Sequence, residues 1–165
     1  EGNYNSVSGE FGELRAYLLA RAMWDPYMSD DEMNSYKEDF LRGYYGKGWR
    51  EIEKFIDFTL EHSEGRHMSI WQHPFEIIPR ETYEKHESEI DSWWDSAYAS
   101  ADEKEKERID RSRMQWEAVK LIMHPNQEDG SKFYDKMKKY AVKWNEWKEL
   151  KTAPDFKLPP TEWLK

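Results

Sequence analysis

Apolar residues recur early in the chain at Phe11, Leu14, Tyr17, Leu18 and Ala22, with Leu19 and Met23 widening the stripe. Steps of three and four place them on one side of an α-helix, and a stripe this broad predicts burial on more than one side. Asp25-Pro26 ends that helix, because proline disfavours helical geometry in the residue before it. Ser29-Asp30-Asp31-Glu32 then has the form of a capping box: the serine oxygen accepts from the backbone of position 32 and the glutamate reaches back. Such a cap contributes ~1 kcal/mol and starts a second helix with Met33, Tyr36, Phe40, Leu41 and Tyr44 as its apolar face. Gly43 and Gly46 offer a left-handed stop.

Trp49, Ile52, Phe55, Ile56 and Leu60 repeat the spacing in a third helix that ends before Gly65. Residues 63–79 lose the period but carry Met68, Ile70, Trp71, Phe75, Ile77 and Ile78. A connection that long and apolar predicts a packed excursion rather than a free loop. Pro79 suits the first position of the following helix. That helix, over 80–101, carries Tyr83, Ile90, Trp93, Trp94, Ala97 and Tyr98; another, over 102–124, carries Ile109, Trp116, Val119, Ile122 and Met123. Asp102 is the expected cap between them, the alternative being one unbroken helix of unusual length. His124-Pro125-Asn126 stops the fifth helix.

Ser131 is the expected cap of a sixth helix with Phe133, Met137, Tyr140, Trp144 and Trp147 on one side. From Thr152 the chain is interrupted by prolines, with Phe156, Leu158, Trp163 and Leu164 as docking material. The prediction is an all-α irregular bundle of about six helices in one domain over 1–165: a leading loop at 1–10, the bundle at 11–150 and a docked, extended tail at 151–165. No internal repeat of fixed period argues for a solenoid.

Composition narrows the functional classes. A mean hydropathy of −1.10 would suit a disordered chain, but 9 Trp, 10 Tyr and 7 Phe supply apolar bodies that such chains lack. A chain of 165 residues can bury a sizeable core without disulfides, and it holds no cysteine. Its 34 acidic against 25 basic residues, net −9, oppose nucleic-acid binding. No apolar run reaches the ~20 residues of a membrane-spanning helix. Opening on Glu1 rather than Met, the chain reads as the C-terminal part of a longer protein.

Chemistry-bearing motifs are sparse. Asp102–Glu107, DEKEKE, alternates in sign and reads as a solvated helix start, as does Asp30-Asp31-Glu32. Neither has the alternating ligand spacing of a calcium loop. His62, His67 and His73 lie near Glu61 and Glu64, but gaps of five and six residues share no helical face and no His-Glu-x-x-His occurs. Nucleophile-elbow, Walker and dinucleotide glycine patterns are absent from the sequence. No catalytic residue, metal ligand or cofactor is therefore assigned. Tryptophan can stack on sugars as well as fill a core: Trp144 and Trp147 share a face and read as core, whereas adjacent Trp93 and Trp94 diverge by about 100° on a helix. Trp94, and Trp71 in the excursion, are the candidate platforms.

The segments ELRAYLLARAMWDP, SDDEMNSYKEDFLRGYYG and ERIDRSRMQWEAVKLIM together resemble the bacterial family called domain of unknown function 4838. Leu-Arg-Ala-Tyr, Trp-Asp-Pro and Gly-Tyr-Tyr-Gly occur in that order; the similarity is best over residues 11–60 and weaker over 102–123. Members look like glycoside hydrolases of hexosaminidase and glucuronidase types, with a β/α barrel followed by a helical region. The resemblance implies that this chain is the helical region, noncatalytic, secreted, periplasmic or cell-surface, and packed through the helix at 11–24 on a barrel upstream. Barrel active sites lie at strand C-termini, so Glu1, Asn3 and Tyr4 are expected beside a substrate cleft, with glycan as the external partner. The rival reading is an autonomous carbohydrate-binding or protein-interaction module using Trp71, Trp93 or Trp94.

Overall fold

A computed structural model describes residues 11–66 and 74–140. The described residues form α1 (Gly12–Trp24), α2 (Asp30–Tyr45), a 3-10 turn (Gly46–Gly48), α3 (Trp49–Ser63), a short α4 (Pro74–Ile77), α5 (Arg80–Ser100), α6 (Glu103–Met123) and α7 (Gln127–Lys139), with no strand among them. The expected all-α bundle is what forms. The predicted leading loop, most of the excursion including Met68, Ile70 and Trp71, and the region carrying Trp144, Trp147 and the tail lie outside the described residues.

Local chemistry sets most boundaries. In both capping boxes the reciprocal bonds are made: Glu32 N donates to Ser29 Oγ at 3.3 Å and Ser29 N to Glu32 Oε2 at 2.9 Å. The corresponding distances at Asp102 and Glu105 are 2.8 and 2.9 Å. Ala101 is extended, so α5 and α6 are separate helices rather than one. Of the two glycines offered as a stop for α2, Gly46 serves, with φ of 56°, while Gly43 lies inside the helix. Pro79 precedes α5 as its N-cap instead of occupying its first turn. The seventh helix starts earlier than Ser131 predicts, because Asn126 Oδ1 accepts from Asp129 N at 2.8 Å and caps it one turn sooner.

Successive helices double back. Across α5 and α6, Arg113 reaches Asp95, Lys120 reaches Asp91 and His124 reaches Glu87, so ascending positions on one helix meet descending positions on the other. The core between α2, α3, α5 and α6 centres on Trp94, Trp116, Tyr45, Leu41, Ile52, Ile90 and Ile109. Tyr45 keeps its hydroxyl paired in this apolar setting through Ser112 Oγ at 2.8 Å; burial pushes its pKa well above the ordinary phenol value. On α3 the inward position is Phe58 rather than Leu60, which stands 60% exposed. A second cluster of Met114, Ala118, Leu121 and Phe133 joins α6 to α7.

Two backbone features hold the bundle's corners. Gly48 is buried where the 3-10 turn meets α5: a Cβ there would lie 2.7 Å from the Ala97 carbonyl oxygen and 2.9 Å from its Cα. Phe11 begins α1 with φ of 52°, a conformation that costs a bulky residue ~1–2 kcal/mol. Its ring lies nearly parallel to Trp94 at 6.5 Å and near Phe55 at 6.3 Å, and that packing offsets the strain.

Candidate functional site

Among the residues singled out for binding, Glu1, Asn3, Tyr4 and Trp71 lie outside the described residues. Trp94 is corrected: it is 1% exposed, between Phe11 and Phe55, and can offer no ring face to a sugar. The packing of α5 on α3 turns position 94 inward against Phe55 and leaves Trp93 half-buried against Phe58. His62 and His86 lie 5.8 Å apart beside Phe58, and no metal-ligating group of three occurs among the described residues. Within DEKEKE, Asp102 and Glu105 make the cap and Lys106 pairs with Glu103 at 2.9 Å.

Two surface features remain, and the first is an apolar corner. The inner side of α1 is fixed to α2: Leu14 is buried, Tyr17 packs on Phe40 at 5.4 Å, and the Arg21 guanidinium lies over the Tyr17 and Tyr36 rings. The other side is open. Leu19, Met23, Trp24 and Tyr27 are 46, 77, 89 and 93% exposed. Leu19 and Met23 are one turn apart, and Asp25 Oδ1 accepts from Tyr27 N at 3.0 Å, forming the turn that carries Tyr27 beyond the helix end.

The second is a cleft of about 400 Å³ between α2, α6 and the end of α7, lined by Tyr44, Lys104, Glu107, Arg108, Arg111, Lys139 and Tyr140. Positions 104, 108 and 111 recur at helical spacing, so one face of α6 projects all three cations. Arg108 is doubly held: its guanidinium lies 4.4 Å above the Tyr44 ring and donates to the Tyr44 carbonyl at 3.0 Å. Arg111 donates to the Tyr44 hydroxyl at 2.6 Å and pairs with Glu13 of α1. Burial raises the Tyr44 phenol above its ordinary pKa against the opposing Arg111 charge, so it stays neutral at physiological pH.

Across the cleft, Lys139 donates to Tyr140 at 2.7 Å, and the Tyr140 hydroxyl donates to Asp110 at 2.6 Å. Burial raises Tyr140 as well, reinforced by its bond to Asp110. Asp110 also binds Lys136 at 2.6 Å and so ties α7 to α6. No activated nucleophile is assembled here; the arrangement is suited to holding negative charge. The sequence reading missed this group, although the basic residues at 104, 108 and 111 were a usable local signal.

Comparison with protein-family models, curated proteins and solved structures yields no match.

Proposed function

We propose that the chain is the noncatalytic helical C-terminal region of a secreted bacterial glycoside hydrolase similar to the domain of unknown function 4838 family. In this reading it supports an upstream β/α barrel by docking the apolar corner of α1 on it. One observation carries the proposal: Leu19, Met23, Trp24 and Tyr27 stand exposed on and just beyond the first described helix. Grouped aromatics in water mark a contact surface more often than a free one. Burying the two aromatic rings would remove on the order of 300 Å² from water, or ~7 kcal/mol before the costs of ordering.

Reach is consistent with this occupant. At ~1.5 Å per residue, the 13 residues of α1 carry the corner about 20 Å from residue 11. A barrel of ~250 residues has a radius of gyration of about 18 Å, so its flank spans that distance. Burial of Trp94 removes one of the three rings on which an autonomous sugar-binding module would rely, Trp93 being half-buried and Trp71 lying outside the described residues.

The test compares the chain alone with the chain joined to the residues that precede it in its polypeptide. Hydroxyl-radical footprinting should show Met23, Trp24 and Tyr27 reactive in the first and protected in the second. Trp24→Ser with Tyr27→Ser should lower the melting temperature of the longer protein and leave the shorter one unchanged. Equal reactivity in both forms would overturn the proposal.

A further inference from the structure

The grouping of cations among the described residues points at the cleft. The chain carries 34 acidic and 25 basic side chains, and several exposed cations, Arg15, Lys47, Arg50 and Lys85 among them, have no acidic partner among the described residues, so it is the grouping of such cations in one cleft that singles it out. Lys37, Arg42, Lys54, Arg80, Arg113, Lys120, Lys132 and Lys136 all have acidic partners. Arg108 and Lys104 have none among the described residues, and both face the same cleft. Arg108 is half-buried and immobilised by the ring and carbonyl of Tyr44, leaving further guanidinium N–H groups uncommitted.

We infer that this cleft is a binding site for a small oxyanion, a phosphate or carboxylate group of a low-molecular-weight ligand. Arg108 supplies a preorganised fork and Lys104 a mobile point charge, with Arg111 and Lys139 adding field while paired respectively to Glu13 and, at 3.6 Å, to Asp110. Immobilising the arginines through Tyr44 lowers the ordering entropy that a ligand would otherwise have to overcome. The cleft volume of about 400 Å³ admits a small molecule rather than a bare ion alone. Glu107 on the rim accepts hydroxyl or amine donors and disfavours a second negative group at that end. The net charge of −9 argues against a polyanion as occupant.

Isothermal titration of the full chain with inorganic phosphate, and separately with acetate, tests this and distinguishes the two anionic groups. Saturable binding of at least one is expected, weakening with added salt. Lys104→Ala should loosen it about 3- to 5-fold, since an exposed lysine contributes modestly. Lys104→Glu should abolish it, and Arg108→Gln should loosen it about 10-fold or more through loss of a charge-assisted fork. Lys85→Ala, an exposed lysine outside the cleft, should leave binding unchanged. Lys104 is exposed, so its variants keep the test valid if Arg108→Gln unfolds. Absence of saturation by both anions, or saturation indifferent to Lys104→Glu, overturns the inference.

Discussion

Gly48→Ala is the sharpest probe of how the bundle is closed. The backbone there has φ of −79° and ψ of −2°, which alanine adopts without strain. Alanine would also reduce the freedom of the unfolded chain, an effect worth ~0.4–1 kcal/mol in favour of folding. Against this, the new methyl would meet the Ala97 oxygen at 2.7 Å, Cα at 2.9 Å and carbonyl carbon at 3.1 Å. All three atoms are backbone, so no side-chain rotation relieves the overlap.

The 3-10 turn and α5 must therefore separate by several tenths of an ångström. That movement loosens the packing of Ala97, Trp94 and Trp49, which are 0, 1 and 8% exposed. Overpacking of this kind costs ~1–3 kcal/mol, so the net destabilisation is expected at ~1–2 kcal/mol. For a chain of this size that corresponds to a melting temperature lower by roughly 2–8 °C. Gly43→Ala is the matched control, because the same substitution in exposed α2 meets nothing within 4 Å. It should raise stability by ~0.5–1 kcal/mol. Circular-dichroism melts of both variants decide the matter: a Gly48→Ala protein as stable as its parent would refute the close approach.

Gly46→Ala should destabilise by roughly 1–2 kcal/mol in urea denaturation, because φ of 56° disfavours alanine and its methyl overlaps the Glu105 carboxylate, disrupting the α6 cap. Acid sensitivity should trace to Asp91. Burial pushes its carboxyl pKa up, but hydrogen bonds from Lys120 and Trp116, with the Lys120 and Arg113 charges, outweigh burial and hold it below the ordinary aspartate value. A depressed folded pKa gives stability that is present above the unfolded pKa and lost as pH falls through the folded one. Asp91→Asn should thus destabilise at neutral pH and progressively less below about pH 4. Equal destabilisation by Asp91→Asn at neutral and acid pH, in urea titrations, would contradict the pairing.

Much of the fold was legible because its signals are local. Both capping boxes join residues three apart, and their helices begin where that chemistry places them. Errors arose where two local signals competed or a tertiary neighbour decided. Asn126 and Ser131 are both competent caps; the chain uses the earlier one, leaving Ser131 inside α7. Phe58 replaces Leu60 in the core because Tyr83 and Trp93 of α5 meet α3 at that position, at 5.9 and 6.2 Å. Adjacency alone left open whether Trp93 or Trp94 turns inward; the packing of α5 on α3, where Phe55 meets Trp94 at 5.2 Å, settles it on Trp94.

The cleft was harder to read because its walls come from distant stretches, Tyr44 on one side, α6 in the middle and Lys139-Tyr140 on the other. Only the α6 part is periodic in sequence, and it sits within a run of mixed charge that reads as a solvated face. That reading holds for part of the run. Asp102, Glu103, Glu105 and Lys106 satisfy one another locally through the cap and an adjacent ion pair. Lys104, Arg108 and Arg111 lie on another stripe, which points between α2 and α7, and two of the three find no carboxylate there among the described residues. A charge run on a helix thus separates into two faces by the same three-and-four spacing that sorts apolar residues, and the face without internal partners is where an external anion has reason to bind.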